Sequence, residues 1–195
     1  MDAVSPEGSW SSLLSPSSVV VTSCLVRPVD AGYELFVPRR LDEAAMARLR
    51  RFHLRTDCTL ELEVAEFGPF NTLGEQVSLS QPGPDEFAAE LTPQSYGAHF
   101  VASTISFTKG CFTGQELVGR LDARGSSVPW RLVHCQGPSL ARIEEVLCAK
   151  GPDGPRGVTT AIDIDGSVAA LGFIHRSALA VDVETPNDVI VHEVD

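Results

Sequence analysis

The sequence predicts an α+β protein: an α/β region followed by a small all-β unit, read as a β-barrel. Three observations lead there. The first part of the chain orders its periodicities as strand, strand, helix, strand. A lysine- and glycine-bearing segment, Lys109 to Glu116, then leads into a second helix. After Gly125, short apolar runs alternate with Gly, Pro and Asp, the pattern of short strands joined by turns.

Ser and Pro crowd residues 5–18 and predict a frayed end. Ser18 to Val26 is β-branched and apolar, which favours a strand. Turn residues fill Arg27 to Gly32, and Tyr33 to Val37 alternates as a half-buried strand closed by Pro38. A helix is expected from Asp42 to Leu54, where Ala45, Met46, Leu49 and Phe52 recur at helical spacing and Arg48, Arg50 and Arg51 take other faces. Its acidic start and basic end suit the helix dipole. Cys58 to Val64 alternates strictly and predicts another strand. Residues 67–95 are turn-rich, and Val101 to Phe107 is expected as a short extended piece. Beyond it, Pro129 to Gly137, Gly157 to Leu179 and Asp188 to Asp195 are strand-like, with Asp163 to Gly166 as a hairpin turn. The change of character places a domain boundary near 125–130, giving domains 1–125 and 126–195.

Composition narrows the function classes. Of 195 residues, 43% are hydrophobic and 21% charged, which is ordinary globular usage. The chain has 15 basic and 26 acidic residues and a formal charge of -11. Such a surface opposes diffuse contact with nucleic-acid phosphates, but leaves room for an anionic ligand in a local basic pocket. No apolar stretch reaches membrane-spanning length, and the acidic N-terminus lacks the basic start of a secretory signal. The five cysteines (Cys24, Cys58, Cys111, Cys135 and Cys148) form no CxxC pair. Free thiols in a cytoplasmic protein are the expectation. The histidines are scattered, so no metal site is assigned. Arg48, Arg50, Arg51 and Arg55 with His53 are expected as a solvated helix face, since no aromatics interleave as stacking platforms for RNA. Asp163 and Asp165 are expected as turn residues, and Trp10 and Trp130 as packing residues.

The segment "KGCFTGQE" carries the chemistry. Thr113 to Glu116 fits the Thr-x-x-Glu capping box, with a helix running on through Leu117, Val118 and Arg120 to about Gly125. Cys111 then precedes a helix N-terminus and neighbours Lys109, two influences that favour thiolate over thiol. Gly110 and Gly114 would allow close backbone approach or positive φ, and an anion could use the free N–H groups of the helix start. The order of residues is not that of a phosphate-binding P-loop. The bland alternative for Cys111 is a small buried apolar residue.

The run "ISFTKGCFTGQELVGR" (Ile105 to Arg120) resembles the signature of the YgfZ-like folate-binding proteins, relatives of the glycine-cleavage aminomethyltransferase. Their pattern is close to Lys-Gly-Cys-Tyr-x-Gly-Gln-Glu and then Arg; Phe112 stands here for the tyrosine. "ELTPQ" (Glu90 to Gln94) and "ALGFIHRSAL" (Ala170 to Leu179) also resemble family segments. The resemblance implies an aminomethyltransferase-like folate-binding region before the barrel, with a preceding N-terminal segment missing from this chain. It implies a tetrahydrofolate cofactor, iron–sulfur proteins or assembly factors as partners, and an indirect effect on tRNA-modifying iron–sulfur enzymes. Cys111 would be the reactive thiol and Lys109 the group that lowers its pKa. Gly110, Phe112, Thr113, Gly114, Gln115, Glu116 and Arg120 would shape the loop. Aligned without gaps, Gln81 falls where the aminomethyltransferases grip the pterin with a carboxylate, so Gln81 is the candidate folate contact. An assembly factor rather than a classical enzyme is the first expectation. A folate-dependent aminomethyltransferase and a non-catalytic truncated paralogue or interaction protein are the alternatives.

Overall fold

A computed structural model describes residues 7–65, 68–148, 157–179 and 188–195. Its elements build two antiparallel sheets. The first is a meander of β1 (Ser9–Leu14), β2 (Val20–Val29) and β3 (Gly32–Phe36), with β2 central. Strand β1 occupies part of the stretch expected to fray, pairing from Ser9↔Val26 to Leu13↔Thr22; Ser5 and Pro6 lie outside the described residues. A ladder of backbone hydrogen bonds to β2 outweighs the weak strand preference of its serines.

Helix α1 (Asp42–Phe52) follows and buries Ala45 and Met46. Phe52, expected on the same buried stripe, is 49% exposed at the helix end. The strand expected over Cys58 to Val64 is absent: the segment joins neither sheet, and Leu62 and Val64 are 53% and 75% exposed. Alternation makes a strand only where an edge is free to pair with it, and no described edge does so.

The turn-rich region condenses into short helices: α2 (Leu73–Ser78), α3 (Pro84–Phe87), a 3-10 turn at Pro93–Tyr96 and α4 (Ala98–Thr104). Helix α4 takes the first half of the piece expected to be extended. Its Phe100, Val101 and Thr104 turn into the core, a helical spacing that the β-branched Val and Thr had masked. Helix α5 (Gln115–Ala123) stands as expected.

The second sheet comprises β4 (Trp130–Gly137), β5 (Val158–Ile164), β6 (Ser167–His175) and β7 (Ile190–Glu193), in the order β5-β6-β4-β7. The β5–β6 hairpin turns at Asp165 and Gly166, with φ of 51 and 82, the two left-handed residues of a tight primed turn. Among the described residues the sheet is open, not a closed barrel. The reason lies in β6, where Ala169, Ala170, Leu171, Phe173 and Ile174 are all buried. A strand apolar on both sides needs cover on both faces. On one face Trp130, Leu132, Leu171 and Phe173 meet Leu14, Val20, Tyr96, Phe100 and Val118. On the other, Val133, Cys135 and Ala170 meet Ile143, Val146 and Leu147 of α6 (Leu140–Cys148), a helix with no counterpart among the expected elements. The first of these cores joins residues from both sides of position 125. A one-turn helix α7 (Arg176–Leu179) follows β6.

Candidate functional site

The motif loop leaves α4 at Ile105 and enters α5 at Gln115. Its start is held by Lys109, whose N–H donates to Ser106 Oγ at 3.2 Å. Its end is held by the Phe112 N–H, which donates to Gln115 Oε1 at 3.3 Å. The expected capping box of Thr113 and Glu116 does not form. The N-cap is Gly114, left-handed at φ 83 and ψ 0, with no side-chain cap bond. Glu116 instead pairs with Arg120 at 2.6 Å on the exposed helix surface, a pair one turn apart. A true capping box sits at Thr72 and Glu75, at the start of α2.

The two motif glycines have different reasons. A Cβ on Gly114 would lie 3.0 Å from Ser18 Cα and 3.2 Å from the Ser15 carbonyl oxygen. Close approach and a left-handed backbone therefore both demand glycine there. A Cβ on Gly110 would meet nothing within 4 Å, so neither packing nor a left-handed φ explains that glycine.

Cys111 is exposed and is not among the residues lining either cavity described below. The Lys109 ammonium lies 5.2 Å from the centroid of the Phe112 ring, a cation–π distance. Lys109, Phe112 and Thr113 line a groove of about 370 Å³ with Arg48 and His53 of the α1 region. Arg48 is therefore not part of a solvated face. Its Nε donates to the Leu14 carbonyl at 2.5 Å, and its guanidinium carbon sits 3.9 Å from the Phe52 ring centroid.

Gln81 lies on a second, larger cleft of about 660 Å³, which Trp10, Phe70, Tyr96, His99 and Glu193 also line. Gln81 Oε1 accepts from Asn71 Nδ2 at 2.5 Å, which leaves the Gln81 amide nitrogen for another partner. Trp10 is not simply packing: it meets Phe70 edge-on at 5.6 Å on this cleft. Trp130 does pack, buried and edge-on to His175 at 5.4 Å.

Glu86 escaped sequence reasoning. It is 1% exposed. Its Oε2 accepts from the Gly83 N–H at 2.8 Å, and its Oε1 from Thr159 and Thr160 at 2.5 and 2.7 Å. A carboxylate so bonded joins α3 to β5. Pro84 followed by two acids marks a helix start in the sequence, but partners more than seventy positions away leave no local trace.

The thiols divide by burial. Desolvation pushes Cys24 up to about 11, against a lesser opposing pull from Lys109, and pushes Cys135 up to about 12. Cys58, Cys111 and Cys148 are exposed. Among the described residues, no group of three or more His, Cys, Asp or Glu could hold a metal ion, and no helix is long and apolar enough to cross a membrane. In comparisons with known proteins, no family model and no curated protein matches this chain.

Proposed function

We propose that this chain is a folate-dependent iron–sulfur cluster assembly or repair factor of the YgfZ-like kind, acting on its client proteins through the Cys111 thiol. The observation that carries the reading is the presentation of Cys111. It is exposed on a loop held by hydrogen bonds at both ends and pinned to the β1–β2 turn by Ser18 and Gly114. A fixed loop offering an accessible sulfur suits a group that must meet a partner protein. Its effect on tRNA modification is indirect, through iron–sulfur enzymes, and the acidic chain makes no direct nucleic-acid contact. The five thiols are free, which suits a reducing compartment, and the cytoplasm is the proposed location.

The larger cleft suits tetrahydrofolate. Trp10, Phe70 and His99 supply flat walls for a heteroaromatic ring, and the Gln81 amide supplies polar contact at one edge. Bound folate would supply one-carbon chemistry; the chain's own part is to seat and orient it.

The test has two arms. In a YgfZ-deficient bacterium under oxidative stress, the wild-type chain should restore growth and Cys111→Ala should not. Tetrahydrofolate should quench Trp10 fluorescence with saturation, weakly in Gln81→Ala and normally in Cys111→Ala. Full rescue by Cys111→Ala removes the thiol from the function and leaves a non-catalytic interaction protein. A flat titration removes folate.

A further inference from the structure

The groove beside the motif loop has a chemistry of its own. Its walls come from β1, α1, the segment after α1 and the motif loop. Arg48, Lys109 and His53 line it, and no Asp or Glu is among the described residues that do so. In a chain of formal charge -11, a cavity with cations and no carboxylate runs against composition. Neither Arg48 nor Lys109 has an ion-pair partner among the described residues.

Arg48 is also incompletely satisfied. The Leu14 carbonyl and the Phe52 ring hold its guanidinium from two sides. Its Nη1 is buried with no hydrogen-bond partner. A buried donor on a charged group is costly until an acceptor reaches it. Burial, and then the like charge of Arg51, lower the Arg48 pKa, as expected of a guanidinium with no anion beside it.

We propose that this groove binds a small oxyanion, a carboxylate or phosphate compound, held by the Arg48 guanidinium and the Lys109 ammonium. A fixed guanidinium is the side chain best matched to a carboxylate or phosphate, and the ammonium adds a point charge. A volume of about 370 Å³ suits a metabolite-sized ligand. A polymer of phosphates is disfavoured by the chain's formal charge of -11, which opposes extended contact with a polyanion. The site is independent of the folate reading, which rests on Gln81 and the other cleft.

Calorimetric titration of the whole chain at low ionic strength tests it, with pyrophosphate and citrate as probes. Saturable binding of either probe, weakened about tenfold or more by Lys109→Gln and by Arg48→Gln, is the expected result. The tighter probe identifies the phosphate or the carboxylate source. Lys109 is exposed, so Lys109→Gln keeps the test valid if Arg48→Gln does not fold. Arg50→Gln, on the same helix but outside the groove, and Gln81→Ala should bind as wild type. Absence of saturable binding, wild-type affinity in Lys109→Gln, or equal weakening by Arg50→Gln or Gln81→Ala overturns the proposal.

Discussion

The Ser18 hydroxyl donates to the Gly114 carbonyl oxygen at 2.7 Å, and the Gly114 backbone is left-handed at φ 83. One contact thus ties the β1–β2 turn to the end of the motif loop, at the N-cap of α5. Gly114→Ala places a Cβ in a left-handed residue and against Ser18, and should cost roughly 2 kcal/mol of stability. Gly110→Ala meets open space and should stay within about 0.5 kcal/mol of wild type. Urea unfolding of both variants measures the contrast; equal losses would show that the contact with Ser18 carries no weight.

Glu86 predicts an isosteric penalty. Its two oxygens accept three hydrogen bonds. Glu86→Gln must turn an NH₂ group either toward the Gly83 N–H or toward the two threonine hydroxyls. A loss of about 1–3 kcal/mol is expected, with part of it shared with Thr160→Val in a double-mutant cycle. Additive single and double variants would show that the carboxylate and Thr160 do not interact energetically.

Acid should loosen the second sheet. His134 on β4 stands opposite His192 on β7. Burial first, and then the His192 charge, lower its pKa from the usual 6.5. The unfolded chain therefore binds the proton more readily than the folded one. The stability from this residue is complete above pH 6.5 and is lost as pH falls through the depressed folded value. His134→Gln should flatten the fall in the urea midpoint on acidification below that pH. An unchanged slope would assign the pH dependence to other groups.

Thiol labelling should separate the cysteines into two classes. Cys58, Cys111 and Cys148 are exposed, whereas Cys24 and Cys135 are buried, with thiols raised to about 11 and about 12. Alkylation of the native protein at pH 8 should modify the three exposed positions, and the other two only after denaturation. Mass spectrometry of digested protein reads this directly; native labelling of Cys135 would contradict the packing against α6.

What the sequence determined by itself was local. The strand character of β2, β3 and β6, the hairpin turn at Asp165 and Gly166, and the helices α1 and α5 follow from residue preference, periodicity and turn chemistry within a few residues, although β2 runs on through residues 27–29, expected as turn. The exposure of Cys111 was not legible there, since a buried apolar thiol fitted the same residues. Tertiary structure decided what depends on a distant partner. Cys58 to Val64 has the pattern of a strand but no described edge to pair with. The second sheet stays open because β6 needs cover on both faces, which α6 and the first core provide. The cap of α5 falls at Gly114 rather than Thr113, at a point that Ser18 crowds so closely that only glycine fits. Arg48 left its solvated face because the Leu14 carbonyl and the Phe52 ring offered it better contacts. Periodicity records a residue's neighbours along the chain, whereas pairing edges, burial and unmet hydrogen bonds belong to whatever the fold brings alongside.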